Sequence, residues 1–298
     1  MIEIESTLLT LRAMLLQEDA SYTISEFFRD LPKETSHGTP VDATARRQIA
    51  AWVVNIMDAC NYKTEYAAIT MSLLDRFVHS RDGRHVLLDR SEYQLAALAA
   101  LYTSVKIHCP QALSPDLVAK LSQGAFTRGD VERMEQKLLF ALQFRVNPPT
   151  VMDFVRSYLC MVPTESLDDQ SRAVLLELAS LQAEVSVLDA AFISTKASHV
   201  AFGSLMNAIE STFLDNNGFC EDIMKIISLS TQINPSDVQD IQTHLYEAIM
   251  AQTSIDLPAA KKAVFHEPVN NRMRRESFKE SPRSIFEHHE LMEHGDIE

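Results

Sequence analysis

The chain has 298 residues, enough for one large domain or two ordinary ones, and its 46% apolar content with 7% aromatics permits a full core. Its formal net charge of −14 leaves no bulk basic footprint for nucleic acid. Only 7 glycines, beside abundant Ala, Leu and Met, favour helices over sheets.

From the N terminus, a short amphipathic helix is expected over about residues 5–17, with Leu8, Leu11, Leu15 and Leu16 along it, then a second short turn around Ile24–Leu31. Residues 32–42, with Pro32, Gly38 and Pro40, read as a linker. Five helices follow. The first runs from about Asp42 to Cys60 with the stripe Ile49, Trp52, Val53, Ile56, Met57, Cys60; Arg46 falls on the same face. The second runs from about Thr64, read as an N-cap, to His79. A polar loop, Ser80–Asp89, precedes the third, about Ser91–His108, which is apolar or small nearly all round and so should be surrounded by the others. Ser114-Pro115-Asp116 opens a short fourth helix, serine as cap and proline at its first position. The fifth runs from about Gly129 to Leu142.

That fifth helix carries an anomaly. On a wheel turning about 100° per residue, Val131, Met134, Leu138, Leu139 and Leu142 share one arc, and Glu135 falls inside it. An unpaired carboxylate taken out of water is expensive. Lys106 lies 29 residues upstream and closes a segment, Tyr93 to Val105, that carries no charge. Either these two residues answer each other inside the bundle, or they serve a partner.

Pro148-Pro149 ends this set, and a second begins at once, with helices at about 150–161, 167–187, 198–211, 219–230 and 235–252. Ser198 and Asn234-Pro235 read as helix starts. Five helices followed by five of similar length suggest a structural duplication. After about Pro258 the pattern dissolves, and residues 265–298, basic at Arg272, Arg274 and Arg275 and acidic after Glu287, read as a flexible charged tail. The fold class expected from residues alone is all-α, two consecutive five-helix domains preceded by a short N-terminal helix.

Ordered pieces of this chain resemble the cyclin family. Arg46 and Trp52 in Arg-Arg-Gln-Ile-Ala-Ala-Trp resemble the opening of the cyclin box, and Leu73-Leu74-Asp75-Arg76-Phe77 the family's second-helix segment. Ser104-Val105-Lys106, then Arg133-Met134-Glu135 and Leu142-Gln143-Phe144, resemble the ends of its third and fifth helices, and the step from Lys106 to Glu135 agrees with the family. Met14–Phe28 resembles the helix ahead of the box, and Lys196–Ala201 the start of the third helix of the second half. Some positions depart: Ile107-His108-Cys109-Pro110 replaces the usual acidic pair, the loop at Ser80–Asp89 is longer than is common, Ala45 stands where methionine is usual, and Ala197 where proline is.

The resemblance implies residues 1–41 as N-terminal helix and linker, 42–147 as the cyclin box, 148–257 as a second cyclin-like five-helix domain and 258–298 as the tail. It implies a regulatory subunit, itself no enzyme, that pairs with a cyclin-dependent serine/threonine protein kinase and activates it in cell-cycle control, presenting it to kinase substrates. Lys106 and Glu135 would contact the kinase, with Ile107, Leu139, Phe144 and Val146 as apolar neighbours. Arg46 and Asp75 would form an internal ion pair. Ile49 and Trp52 are either core or a substrate-docking surface. A cyclin-fold transcription factor and a non-activating kinase adaptor are the alternatives.

The remaining signals are weaker. Cys60, Cys109, Cys160 and Cys220 stand singly, as reduced thiols of an intracellular protein would; the family resemblance implies nucleus and cytoplasm. The acidic start, Met-Ile-Glu-Ile-Glu, does not read as a signal peptide, and no apolar run approaches the roughly 18 residues of a membrane helix. His289 and His294 are five apart, not four, which argues against a metal site. No metal, cofactor, nucleic acid or membrane is expected as a partner. Ser277 after Arg274-Arg275-Glu276, Ser281 before Pro282 and Thr39 before Pro40 fit minimal phosphorylation patterns. Arg12-Ala13-Met14-Leu15 fits a bare degradation pattern but sits on an expected helix.

Overall fold

The computed structural model describes residues 2–28, 31, 40–109, 113–163, 165–213 and 217–255. Among these are eleven α-helices and no strand. They are α1 (Ile2–Gln17), α2 (Ala43–Ala59), α3 (Glu65–His79), α4 (Arg90–His108), α5 (Pro115–Leu121), α6 (Arg128–Ala141), α7 (Val151–Met161), α8 (Asp169–Leu188), α9 (Ala197–Thr212), α10 (Asn217–Thr231) and α11 (Pro235–Ile255). Each of the ten helices expected after the linker is present.

The described residues form two compact units. Residues 24–148 and 187–194 make one; residues 2–23, 149–186 and 195–255 make the other.

In the first unit α4 is the axis, packed by α3 and α6. Ala96, Ala97, Leu98, Ala99, Ala100 and Leu101 are all fully buried. Six consecutive buried residues cover more than a full turn, so the helix has no solvent side. Alanine makes this possible, since its small side chain lets neighbouring helices approach from every direction. The caps follow local chemistry. Asp42 accepts from the Ala45 N–H at 2.7 Å, and Ser114, followed by Pro115, accepts from Leu117 at 3.3 Å. Thr127 opens α6 with a capping box closed by Asp130.

Two local expectations are corrected here. Thr64 makes no side-chain cap; α3 instead starts from a backbone turn in which the Tyr66 and Ala67 N–H groups donate to Lys63 and Thr64. The short turn expected around Ile24–Leu31 is present in the Leu31 N–H bond to the Phe28 carbonyl at 3.3 Å, at the end of an irregular stretch. There the Glu26 side chain takes the Phe28 N–H at 2.6 Å, competing with a helical ladder, and Phe27 is buried in the core of this unit. The loop at Ser80–Asp89 is not simply polar, for its 3₁₀ turn Arg84–Leu88 buries Val86 and Leu87. Gly83 is required there, because a Cβ would fall 2.1 Å from the Phe77 carbonyl oxygen.

In the second unit α9 packs against α7 and α11, and α1 lies on α7. Leu11 is fully buried among Phe154, Tyr158, Phe202 and Leu205, with Leu8, Met14 and Leu15 partly covered beside it. Leu16 does not share that stripe; it is 71% exposed, five residues from Leu11 and so well round the helix. Thr150 and Asp153 form a capping box on α7. Arg172 closes the other end of α7 by donating to the Leu159, Val162 and Leu167 carbonyls, which suits a cation at a helix C terminus.

Ser198 is not the cap of α9. Lys196 occupies that position without a side-chain bond. The N–H and hydroxyl of Ser198 both donate to Glu18, at 2.9 and 2.5 Å, from 180 residues away. Glu18 lies in a π-helical turn, Glu18–Tyr22, that continues α1. The cap of a buried helix start is thus borrowed from the far end of the chain. Burial holds the Glu18 pKa up, against the pull of the Ser198 bonds and Lys196. Lys196 itself pairs with Asp19 at 2.7 Å, and the Tyr158 hydroxyl donates to the Ser198 carbonyl at 3.0 Å.

Candidate functional site

Glu135 and Lys106 are bonded to each other. Lys106 Nζ donates to Glu135 Oε1 at 2.6 Å and joins the end of α4 to the middle of α6. The Thr103 hydroxyl, one turn back on α4, lies 3.2 Å from the same oxygen and 2.8 Å from the Ala99 carbonyl, with one proton to share. Glu135 is buried, but the Lys106 side chain is 42% exposed. Its ammonium stands 4.9 Å from the centre of the Tyr102 ring. An ammonium carries three donors and Glu135 takes one, so the exposed side of Lys106 keeps donor capacity toward solvent.

The end of α4 is fixed from α3. The Ser104 hydroxyl donates to the Tyr66 carbonyl at 3.2 Å, the Tyr66 hydroxyl to the His108 carbonyl at 3.3 Å, and the Tyr66 and His108 rings stack at 5.5 Å. Beyond Lys106, Ile107 is exposed while Cys109 turns inward, where burial pushes its thiol pKa up.

On α6, Leu139 is half-buried and Phe140 is 71% exposed. The helix ends in a paired hydrogen-bond pattern. The Phe144 N–H donates to Leu139 at 2.9 Å and the Gln143 N–H to Phe140 at 3.0 Å, a Schellman closure. Glycine usually fills the left-handed position of this motif. Here Gln143 and Phe144 both take it, with φ of 52° and 59°. The outcome is that Phe144, 60% exposed, meets Phe140 edge-to-face at 5.7 Å between ring centres. Val146 then turns back and packs partly against the core.

Arg46 and Asp75 are buried and joined by two bonds, Nε to Oδ1 at 2.9 Å and Nη2 to Oδ2 at 2.7 Å. A third bond runs from Arg46 Nη1 to the Val187 carbonyl at 3.1 Å. Burial works against the guanidinium charge, and the Asp75 carboxylate more than offsets it, so the arginine pKa is raised. Ile49 and Trp52 are both buried in the core of this unit and present no exposed side chain. Ser277 and Ser281, together with Thr39 and the His289–His294 stretch, lie outside the described residues.

Sequence reasoning missed two residues here. Phe140 stands opposite Val131 on the α6 wheel, and an aromatic on the polar face was the available signal. Arg76 is buried and donates to the Arg145 carbonyl at 2.8 Å; nothing in the sequence points an arginine at a backbone oxygen 69 residues away.

The pattern of the cyclin N-terminal domain matches residues 13–147, and that of the cyclin C-terminal domain matches residues 149–279. The chain belongs to the cyclin family. This cyclin is 27% identical to cyclin-B2-1 of Arabidopsis thaliana over 134 residues, 45% of the chain and 30% of that protein. It is 22% identical to G1/S-specific cyclin-D1 of Rattus norvegicus over 261 residues, 85% of the chain and 83% of that protein. A viral cyclin from herpesvirus saimiri shares the fold, with a TM-score of 0.58 at 17% identity, over 80% of this chain and 97% of that one. Membership makes the cyclin a regulatory subunit and not an enzyme in its own right. Among its described residues no helix is long and apolar enough to cross a membrane, and no group of His, Cys, Asp and Glu is placed to hold a metal ion.

Proposed function

We propose that this cyclin binds a cyclin-dependent serine/threonine protein kinase as a heterodimer and activates it in cell-cycle control, in nucleus and cytoplasm. The observation that carries the reading is the Lys106–Glu135 pair, half open to solvent, on the two helices that also bear Ile107, Leu139 and Phe140, whose ring pairs with that of Phe144 in the turn after α6. Two aromatic rings this exposed on one short segment favour a partner. Lys106 would donate to carbonyls of a kinase helix, and Glu135 would accept from its N–H groups by charge-assisted bonds. Ile107, Leu139, Phe144 and Val146 would exclude water around them. Docking would draw that helix inward, so that its glutamate meets the lysine that positions ATP phosphates. The cyclin does no chemistry in this scheme; it shifts the kinase population toward its active arrangement.

The test is a pull-down of candidate kinases followed by phosphotransfer to a histone-type substrate. The informative variant is the double exchange Lys106→Glu with Glu135→Lys. It leaves an ion pair between α4 and α6 but reverses its polarity. A pair that serves only the bundle tolerates the exchange; one that serves a kinase loses capture and activation. Capture without phosphotransfer identifies an adaptor, which the departure at Ile107-His108-Cys109 favours. Salt-dependent DNA binding identifies a cyclin-fold transcription factor.

A further inference from the structure

We infer that Arg76 is a positioning residue that clamps the left-handed Gln143–Phe144 turn and so holds the Phe144 ring in its exposed place beside Phe140. The inference deepens the proposed kinase-binding reading and rests on it for its functional consequence. Two successive non-glycine residues with φ of 52° and 59° occupy a sparsely populated backbone region. Such conformations persist where the surroundings over-determine them, and they collect at binding sites. Bonds on both sides of the turn supply those surroundings here. The Schellman bonds to Leu139 and Phe140 hold the near side of the turn, and the Arg145 N–H donates back to the Leu142 carbonyl at 3.0 Å. The far side is held by Arg76, which donates from α3 to the Arg145 carbonyl at 2.8 Å.

Arg76 suits this work physically. Its guanidinium stays charged at any ordinary pH, and a charge-assisted bond to a carbonyl is stronger than a neutral one. It is buried, so water competes poorly for the same carbonyl. Its neighbour Asp75 is already engaged by Arg46 through both carboxylate oxygens. Successive residues of α3 thus act on different elements: Asp75 ties α2, and Arg76 ties the exit of α6.

The experiment uses the full chain. Arg76→Met removes the donors and keeps an apolar stem. Hydrogen exchange is read at the Phe144 and Arg145 amides, with α4 amides as the internal control for folding. A tenfold or greater rise at the turn with α4 unchanged supports the clamp; unchanged exchange at the turn overturns it. If Arg76→Met loosens α4 as well, the double variant Arg76→Met with Gln143→Gly decides. Glycine enters the left-handed region freely, so it relieves one of the two left-handed positions and recovers part of the turn protection, whereas a general packing role of Arg76 is not rescued. The second arm measures binding to a purified cyclin-dependent kinase. Arg76→Met binds at least tenfold more weakly, and Gln143→Gly restores binding to within about threefold. Weak binding by Phe144→Ala beside normal binding by Arg76→Met overturns the clamp and leaves the kinase reading standing. Normal binding by both Phe144→Ala and the Lys106/Glu135 exchange overturns the kinase reading, and the exchange arm still judges the clamp.

Discussion

Glu18 caps α9 from the opposite end of the chain, and its removal makes a sharp test of that arrangement. Glu18→Ala leaves the Ser198 N–H inside the protein without an acceptor, since Ser198 is fully buried. A buried donor left unmade costs about 1–3 kcal/mol, and the loss of a helix N-cap falls in the same range, so the two descriptions count one effect. The Ser198 hydroxyl loses less, because His199 Nδ1 stands 3.1 Å away as a second partner. Some of the loss is returned, because burial opposes the carboxylate charge that alanine removes. About 2 kcal/mol is expected, or a fall in Tm on the order of 8 °C for a unit of this size. Glu18→Gln keeps an accepting oxygen and loses under about 1 kcal/mol. The assay is urea unfolding with hydrogen exchange at Ser198. Glu18→Ala within about 0.3 kcal/mol of the native chain, with Ser198 exchange unchanged, would refute the capping argument. The pH dependence gives a separate check. Burial raises the folded pKa of Glu18 above its ordinary 4.5. A raised folded pKa gives a contribution that is present below the unfolded pKa and lost as pH rises through the folded one. The native chain therefore gains stability relative to Glu18→Gln as pH falls from neutral toward 4.5. A relative loss in that window would mean that the Ser198 bonds, and not burial, dominate.

Three further outcomes follow from the packing. Arg46→Met strands the buried Asp75 and costs about 3–5 kcal/mol in chemical denaturation, whereas Arg46→Met with Asp75→Leu recovers most of it. Tyr93 is fully buried with a hydroxyl that has no hydrogen-bond partner among the described residues, so Tyr93→Phe is as stable in urea or more stable, by up to about 1 kcal/mol; a clear loss would reveal a bond to that oxygen. Leu11→Ala opens a hole between α1 and α7 and lowers stability by about 2–5 kcal/mol, whereas Leu16→Ala, on the exposed side, changes it by less than about 0.5 kcal/mol in the same thermal scan.

What was legible in the sequence was periodic or local. The all-helical architecture was readable because apolar residues recur at helical spacing between proline and glycine breaks. The ringed position of α4 was readable from its lack of any polar face. Glu135 stood out because a charge on an apolar arc is a contradiction that some partner must resolve. What was not legible depends on side chains reaching distant backbone. Ser198 carries the right chemistry for a cap, yet it is the donor, and the acceptor is Glu18. Thr64 looks like a cap, but a backbone turn already serves its helix. Gln143 gives no sign that it is left-handed, because the bonds that force it there come from Leu139, Phe140 and, through Arg145, from Arg76.

The alanine run of α4 also makes this helix a lever. Ala97 lies nine residues before Lys106, which at 1.5 Å per residue is an arm of about 13 Å. Ala97 is fully buried, so a larger side chain there presses on the packed neighbours, and the helix tilts or the neighbours part. A tilt of roughly 5° over that arm moves the Lys106 end by about 1 Å, enough to spoil a hydrogen bond. Substitutions in the middle of the bundle can therefore mistune Lys106 without touching it, and a variant such as Ala97→Val would alter partner affinity from the inside.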